Sequence, residues 1–381
     1  MSVSGAIIIE GHVQGLSNTR SIGELGIPVY VLDTSTCIAK FSKYCTKFFI
    51  CPPFNSPLFV DFLIELGQKE GLKDWILYPS NDFAVINIYQ NWGKLKNYYI
   101  YFENSIEQME LIYDKEKLSL FAKKNQVPTP EIISTRIDNN DTYPTITRGK
   151  YGLSFYKQIG RKALISNNQK EFKKNQELLS RSLPDSNYFS QEIVSSKKIP
   201  FTVSYVVFAE KGEVLQAWMG EKIRQHPSNF GTATLARSTW HESCADHGNQ
   251  LMKALQYTGI CEIEFQYSDK NNDFLLIEIN ARTWLWVELA KASGIDFAKI
   301  IFNYFANQLE YKQLESQRNI YWKNFYTDSF MLFKRAIRFK LSWRELFNYK
   351  KGKKVKAILQ YRDPLPSFAF IFLLPKMIRN R

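Results

Sequence analysis

Residues 261–282 read CEIEFQYSDKNNDFLLIEINAR, the most informative stretch of the chain. Two runs that alternate apolar and polar residues flank a polar segment, a pattern that predicts a β-hairpin. Because side chains alternate across a strand, Glu278 and Asn280 share one face of the second strand. If the turn centres on Asn271, Glu264 lies opposite Glu278 on that same face.

Two carboxylates and an amide oxygen on one face predict a metal site. Like charges repel, so such a cluster is costly unless a cation sits in it. Mg²⁺ is the natural candidate because it takes oxygen ligands and commonly binds carboxylates together with substrate phosphates. Arg282, two residues past Asn280, is placed to hold phosphoryl oxygens. The competing interpretation is that each acid lies on a solvated strand face.

The order Glu-x-Asn-x-Arg at the end of an apolar strand, after a Glu-bearing strand that starts at Gly259, resembles the metal-binding hairpin of the ATP-grasp superfamily. Glu262 shares the face of Glu264 and competes with it for the first metal position. The resemblance implies three magnesium ligands and one phosphate-stabilising arginine: Glu264, Glu278, Asn280 and Arg282.

Residues 1–112 alternate predicted strands with predicted helices, which indicates a parallel sheet. The strings GHVQGLSNTRSIGELGIPVYVLD and YPSNDFAV resemble the N-terminal half of predicted ATP-dependent carboligases. A weaker dinucleotide-binding interpretation, based on Gly11, Gly15 and Asp33, stays open. The predicted elements are strands at Ala6–Glu10, Pro28–Asp33 and Trp75–Pro79 and a helix at Phe59–Glu70.

Residues 113–310 form the predicted ATP-grasp module, entered through DKEKLSLFAKKNQVPTP. The resemblance implies that Arg148 contacts ATP phosphate, although the family has a lysine there and the two are not interchangeable. Lys162 stands where the second nucleotide lysine is expected, with Lys157 and Arg161 as alternatives.

The segment YFSQEIV resembles the hinge that receives adenine in this superfamily, which implies that Glu192, Ile193 and Val194 bind the ring through their backbone. The alternative is a plain edge strand. Farther on, Lys222 and Arg224 are expected on one strand face, a suitable pair for a triphosphate or a substrate carboxylate. The alternative for this pair is a solvated position.

The composition is that of a globular protein, with 45% hydrophobic and 15% aromatic residues. Five scattered cysteines without a C-x-x-C pair favour a reducing, cytoplasmic location.

Residues 311–381 hold 17 Lys and Arg against 4 Asp and Glu, which accounts for the whole net charge of +13. We expect basic amphipathic helices at Phe330–Lys340 and Trp343–Lys356, packed on the module.

The sequence therefore predicts an α/β protein with an ATP-grasp fold, preceded by a Rossmann-like N-terminal domain and followed by a basic helical extension. The resemblance implies an ATP-dependent ligase that uses Mg²⁺ or Mn²⁺. It would activate a small-molecule carboxylate as an acylphosphate and join it to an amine.

Two other functions stay open: a catalytically silent ATP-binding regulator, and a protein that binds an anionic polymer or the inner face of the membrane through residues 311–381. No nucleic-acid partner is expected, because no stacking or groove-reading motif accompanies the charge. A homodimer is the expected oligomeric state.

Overall fold

The computed structural model describes residues 3–133, 143–184, 187–227, 230–308, 314–337 and 352–379. Three sheets organise this part of the chain, with five, four and seven strands. The first lies in the N-terminal region, and the other two hold the residues expected to bind nucleotide and metal.

The N-terminal sheet is parallel throughout. Its strands are β1 (Gly5–Ile9), β2 (Val29–Asp33), β3 (Lys47–Ile50), β4 (Trp75–Pro79) and β5 (Tyr99–Ile100). Every residue of β1, β2 and β4 is buried, as expected where helices cover both faces of a parallel sheet. The predicted Rossmann-like parallel sheet is confirmed.

The strand order is β3-β2-β1-β4-β5. Strands β2 and β3 are added on one side of β1, and β4 and β5 on the other, so the strand order reverses between β1 and β4. At such a switch point the carboxyl ends of the two strands open a crevice, the usual ligand position in parallel sheets. The helices of this region are α1 (Val13–Gly23), α2 (Leu58–Lys69), α3 (Asp82–Gln90), α4 (Trp92–Leu95), α5 (Ile106–Tyr113) and α6 (Lys115–Lys124).

Helices α3 and α6 each begin at a side-chain N-cap, which fixes the position of the charged residue that follows it. Asn81 accepts a hydrogen bond from the Phe83 amide and starts α3 with Asp82 in its first turn. Asp114 accepts from the amides of Glu116 and Lys117, so Lys115 is the first residue of α6.

The four-stranded sheet is antiparallel and has its own small core. Its strands, in the order β6-β9-β7-β8, are β6 (Ile132–Ile133), β7 (Thr145–Gly149), β8 (Ala163–Ser166) and β9 (Tyr188–Glu192). Helices α7 (Gly152–Ile159) and α8 (Gln169–Ser182) belong to the same unit. Its core consists of Phe155, Leu164, Leu179, Leu183 and Tyr188.

The seven-stranded sheet contains the predicted hairpin at one edge. Its first five strands are β10 (Val203–Glu210), β11 (Glu213–His226), β12 (Thr232–Ser238), β13 (Gly259–Ser268) and β14 (Asp273–Asn280). Hairpin strands β14 and β13 begin the order, followed by β10, β11 and β12. The accompanying helices are α9 (Glu242–Leu255), α10 (Val287–Ala292) and α11 (Phe297–Phe305).

The C-terminal region is less helical than the sequence predicted. Strand β15 (Tyr321–Lys323) pairs antiparallel with β12, and β16 (Lys354–Lys356) pairs parallel with β15, so both extend the seven-stranded sheet. Lys354–Lys356, the end of the predicted second helix, is therefore a strand, while 343–351 lies outside the described residues.

Two helices complete the region: α12 (Phe325–Ile337), which covers the described part of the first predicted helix, and α13 (Leu365–Arg379). Within the described ranges, neither these nor any other helix is long and apolar enough to cross a membrane.

Candidate active site

The hairpin of β13 and β14 has the register that the sequence predicted. Glu264 is paired with Glu278, and Glu262 is paired with Asn280 two residues away. The register shifts directly after Glu264, before Phe265. The pairing brings the two predicted acidic ligands opposite each other and the predicted amide ligand beside them.

Each of the two opposed carboxylates is neutralised by a lysine. The Lys222 Nζ lies 2.8 Å from Oε2 of Glu264, and the Thr202 hydroxyl donates to the same oxygen at 2.9 Å. The ammonium of Lys115 donates to Glu278 Oε2. Two opposed acids in one partly buried site thus carry matching positive charge from two different elements.

The pKa of Glu278 reflects this arrangement. Burial by itself would raise the pKa of Glu278, but the charge and hydrogen bond of Lys115, followed by the charges of Arg148 and Lys222, hold it well below its usual range. The Glu278 carboxylate is therefore ionised at any ordinary pH, as a metal ligand must be.

The alternative first ligand, Glu262, is in a different state. Burial, and then the charge of Glu264, raise the pKa of Glu262 to about 8. Its two carboxyl oxygens accept hydrogen bonds from the Ser204 hydroxyl at 2.7 Å and from the Asn280 amide at 3.1 Å. These contacts favour Glu264 over Glu262 as the metal-facing acid.

Arg282 connects the hairpin to the N-terminal sheet. Its guanidinium forms an ion pair with Asp82, at the start of α3, and donates to Asn280 Oδ1 at 3.1 Å. Burial would lower the pKa of Arg282, but the charge and hydrogen bond of Asp82 raise it above its ordinary value. Arg282 is thus a permanent cation between the candidate metal ligands and the crevice of the parallel sheet.

Three polar side chains line the crevice beside Asp82. Glu10, the residue after β1, has a positive φ of 75° and accepts hydrogen bonds from the side-chain amides of Gln14 and Asn81, both at 3.0 Å. Burial is the main reason why the pKa of Glu10 is raised. A non-glycine residue in a left-handed conformation is costly and typical of functional sites.

The four-stranded sheet supplies Arg148 to the same region. Its guanidinium donates to the Ile277 carbonyl of β14 at 2.9 Å and lies 5.3 Å from the Phe189 ring centroid. Its Nε is buried without a partner among the described residues, and burial lowers its pKa against the pull of Glu278 and Glu264. Lys162 is exposed and directly precedes β8, whose Ala163 pairs with Arg148.

The structure pairs Arg224 with an acid outside the hairpin. Both carboxylate oxygens of Asp328 on α12 accept from its guanidinium, at 2.8 Å and 2.7 Å, and Asp328 is fully buried. The register of β11 against β12 shifts on both sides of Arg224, so the regular alternation on which the shared face with Lys222 rested is interrupted.

The predicted hinge residues lie at the end of β9. Glu192 binds the Lys270 ammonium at 3.2 Å and accepts from the Glu131 amide at 3.1 Å. Ile193 and Val194 line, together with Glu192, a cavity of about 330 Å³ beside the turn of the β13–β14 hairpin. The segment therefore touches both the four-stranded and the seven-stranded sheet, as a hinge must.

The donor set fits a hard divalent cation. In the portion that the structure describes, no group of three His, Cys, Asp or Glu side chains could hold a metal ion. The candidate set is two carboxylates plus one amide oxygen, and nucleotide phosphates would supply further ligands, the usual arrangement for Mg²⁺.

The chain is similar to known proteins in sequence over one region and in structure over most of its length. Residues 157–308 match the family model of the carbamoyl-phosphate synthase L chain, ATP-binding domain. No curated protein matches. The structure of a biotin carboxylase from Campylobacter jejuni covers 84% of this chain and 74% of its own, with a TM-score of 0.66 and 17% identity. The chain has the ATP-grasp fold.

Two other ATP-grasp structures agree. An L-amino acid ligase from Bacillus licheniformis covers 84% of this chain and 79% of its own, with a TM-score of 0.63 and 13% identity. An N5-carboxyaminoimidazole synthetase from Staphylococcus aureus, complexed with ADP, covers 83% and 81%, with a TM-score of 0.61 and 16% identity. The predicted ATP-grasp fold is confirmed.

Sequence reasoning missed three residues of the candidate site. Lys115 pairs with Glu278, Asp82 pairs with Arg282, and Glu10 lies in the adjoining crevice. The first two directly follow helix caps that are readable in the sequence, Asp114 and Asn81. Nothing local marks their distant partners.

Proposed function

We propose that this chain is an ATP-dependent ligase that activates a carboxylate as an acylphosphate and joins it to an amine. The observation that carries the proposal is the pairing of Glu264 with Glu278 on adjacent strands, with Asn280 and Arg282 at the end of the same strand. This is a metal and phosphate site inside a fold of ATP-dependent ligases.

Glu264, Glu278 and Asn280 would hold Mg²⁺, which when bound screens the negative charge of the nucleotide phosphates. Their present partners support this assignment. Lys222 and Lys115 already supply positive charge to the two acids, so the site is built for cations. Both lysines are then placed to turn toward phosphate oxygens.

The chemistry needs positioning and charge, not a side-chain nucleophile. An oxygen of the substrate carboxylate attacks the γ-phosphorus and ADP departs. The amine then attacks the acyl carbon, phosphate leaves and the amine loses a proton. We assign nucleotide phosphates to Arg148, Lys162, Lys222 and Lys115, and the acylphosphate to Arg282.

Arg224 has no part in this proposal, since its guanidinium is engaged by the buried Asp328. Adenine is assigned to the hinge at Glu192, Ile193 and Val194, where two apolar side chains line a cavity that suits a flat heterocycle. The substrates are assigned to the crevice around Glu10 and Asn81, because Arg282 borders it through Asp82.

The decisive experiment measures ADP release from Mg-ATP across a panel of carboxylates and amines. Bicarbonate belongs in the panel, because a related biotin carboxylase domain was crystallised with MgADP and bicarbonate. A hit is confirmed by the mass of the product. Glu278→Gln keeps the shape of the side chain and should abolish the signal, whereas Glu177→Gln, on the exposed face of α8, should not.

Binding of Mg-ATP without turnover on any substrate pair would contradict the ligase proposal and favour the regulator. Turnover that survives Glu278→Gln would remove the metal site from the mechanism.

A further inference from the structure

The two C-terminal helices expose an unusual amount of apolar surface. Eight large apolar side chains on α12 and α13 have exposed fractions between 45% and 81%. Exposed patches of this kind mark interaction sites on soluble proteins. We call this set the C-terminal surface: Phe325, Phe330, Phe333, Ile337, Leu365, Phe368, Ile371 and Phe372.

Helical periodicity explains why these side chains point outward. On α12 the exposed positions 330, 333 and 337 follow the spacing of one helix face, while Met331 is buried. On α13 the exposed positions 365, 368 and 372 do the same, while Phe370 is buried. Each helix therefore has one apolar face directed at the protein and a second one directed at solvent.

The two helices are held together by their inner faces. The rings of Tyr326 and Phe370 stack at 4.6 Å, and the Tyr326 hydroxyl donates to the Ser367 carbonyl at 3.1 Å. These inner contacts anchor both helices, and among the outer residues Phe330 also meets the His226 ring edge-on, at 6.2 Å between centroids.

Basic residues accompany the C-terminal surface and acidic ones do not. Lys356 lies 6.0 Å from the ring of the exposed Tyr361, and the neighbouring Arg362 is exposed as well. Both aspartates described in this region are buried in ion pairs, Asp328 with Arg224 and Lys323, and Asp363 with Arg20. Among residues 314–337 and 352–379, the acidic charge left on the outside is that of Glu315 alone.

The charge decides between the candidate occupants. In a two-fold dimer the same patch would face itself, and its lysines and arginines would repel each other. A bilayer that contains anionic lipid accommodates apolar side chains at the acyl boundary and attracts lysine and arginine at the headgroups. Phenylalanine, isoleucine and leucine beside basic residues match that environment.

We propose that the C-terminal surface docks on anionic lipid bilayers, with the exposed faces of α12 and α13 inserted at the headgroup boundary. This places the ATP-grasp protein at a membrane surface without a membrane-spanning helix. The proposal is independent of the ligase activity.

The test is flotation of the full-length protein with phosphatidylcholine vesicles that contain or lack 30% phosphatidylglycerol. We expect binding to the anionic vesicles at low salt and weaker binding at high salt. Phe368→Ser with Phe372→Ser should reduce the bound fraction at least about tenfold, since the apolar contacts are lost. Lys356→Glu with Arg362→Glu should also reduce the bound fraction, because acidic side chains are repelled by the anionic headgroups.

The matched control is Ile50→Ser with Leu58→Ser, two side chains on the N-terminal region that are each 62% exposed, and it should bind like the wild type. Thermal melting of every variant checks that it is folded, and Phe372→Ser alone replaces the double variant if that one is not. Truncation is unsuitable, because it would remove β15, β16 and the Asp363 ion pair.

Three results would overturn the proposal: no flotation with anionic vesicles at low salt, equal flotation of the Phe368/Phe372 variant, or equal flotation with neutral vesicles. A fourth result that would overturn the proposal comes from light scattering, which measures the oligomeric state. A wild-type dimer that Phe368→Ser with Phe372→Ser converts to a monomer would assign the surface to a second copy of the chain.

Discussion

Arg20 and Asp363 lie 343 positions apart in the chain and form a buried ion pair at 2.8 Å, with each side chain 1% exposed. Arg20 is on α1 of the N-terminal region, and Asp363 follows the last strand of the seven-stranded sheet. Asp363 also accepts hydrogen bonds from the Ser42 hydroxyl and the Lys43 amide. The C-terminal region is thereby fastened to the N-terminal domain.

Removing one partner of this pair should be strongly destabilising. Asp363→Asn leaves the buried Arg20 charge uncompensated, so we expect a loss of about 3–5 kcal/mol in the free energy of unfolding. Urea denaturation measures it. Glu131→Gln, in an exposed pair with Lys123, is the control and should change the free energy by less than about 1 kcal/mol. A similar small change for Asp363→Asn would show that the pair contributes little.

The two candidate first ligands of the metal can be separated by matched substitutions. Glu264→Gln should lower the rate of ADP formation about 10²–10³-fold, because a carboxylate that faces the phosphates is lost. Glu262→Gln should have a much smaller effect, since the raised pKa of Glu262 makes a neutral amide a fair substitute. Steady-state rates of ADP formation at varied Mg²⁺ concentration distinguish the two variants. The reverse ranking would make Glu262 the ligand.

Lys115 and a metal ion compete for the same carboxylate of Glu278. Lys115→Met should therefore raise the affinity of the nucleotide-free protein for Mg²⁺, by removing a competing cation, while weakening ATP binding. Isothermal titration with MgCl₂ and with ATP measures both. Lys123→Met, at an exposed position of the same helix, should leave both affinities unchanged. Unaltered Mg²⁺ affinity in Lys115→Met would show that Lys115 does not compete with the metal ion.

Glu288 predicts a pH dependence of stability. Burial is the main reason why the pKa of Glu288 is raised, and its carboxyl oxygens accept from the Ser17 hydroxyl and the Gln360 amide. A group with a higher pKa in the folded state stabilises the fold below its unfolded value, near 4.5, and this stability is lost as the pH rises through the folded pKa.

Glu288→Gln should remove that loss, so the variant gains stability relative to the wild type as the pH rises above about 4.5. Thermal melting between pH 4 and 9 gives the two curves. Exposed Glu315→Gln should follow the wild type. Parallel curves for wild type and Glu288→Gln would contradict the assignment.

Local sequence patterns predicted much of this protein. The alternation in 261–282 predicted the hairpin, and its turn length set the pairing of Glu264 with Glu278. Continuous apolar runs predicted β1, β2 and β4 of the parallel sheet. These features depend on neighbours within a few residues, so periodicity and turn chemistry suffice to find them.

Contacts between distant segments could not be predicted in this way. The regular period-two pattern placed Arg224 beside Lys222, but irregular pairing of β11 with β12 and the buried Asp328 draw it elsewhere. The helical spacing of 343–356 did not reveal that Lys354–Lys356 pairs with β15. In both cases a partner more than thirty positions away overrides the local preference.

The ATP-grasp fold, the acidic hairpin and the basic C-terminal region can be predicted without coordinates, because each is encoded in a short run of residues. Which cation meets which acid follows from the folded chain: Lys115 with Glu278, Lys222 with Glu264, and Arg282 with Asp82. Charge pairing acts through space at a few ångströms, whereas sequence patterns report only which residues are adjacent along the chain.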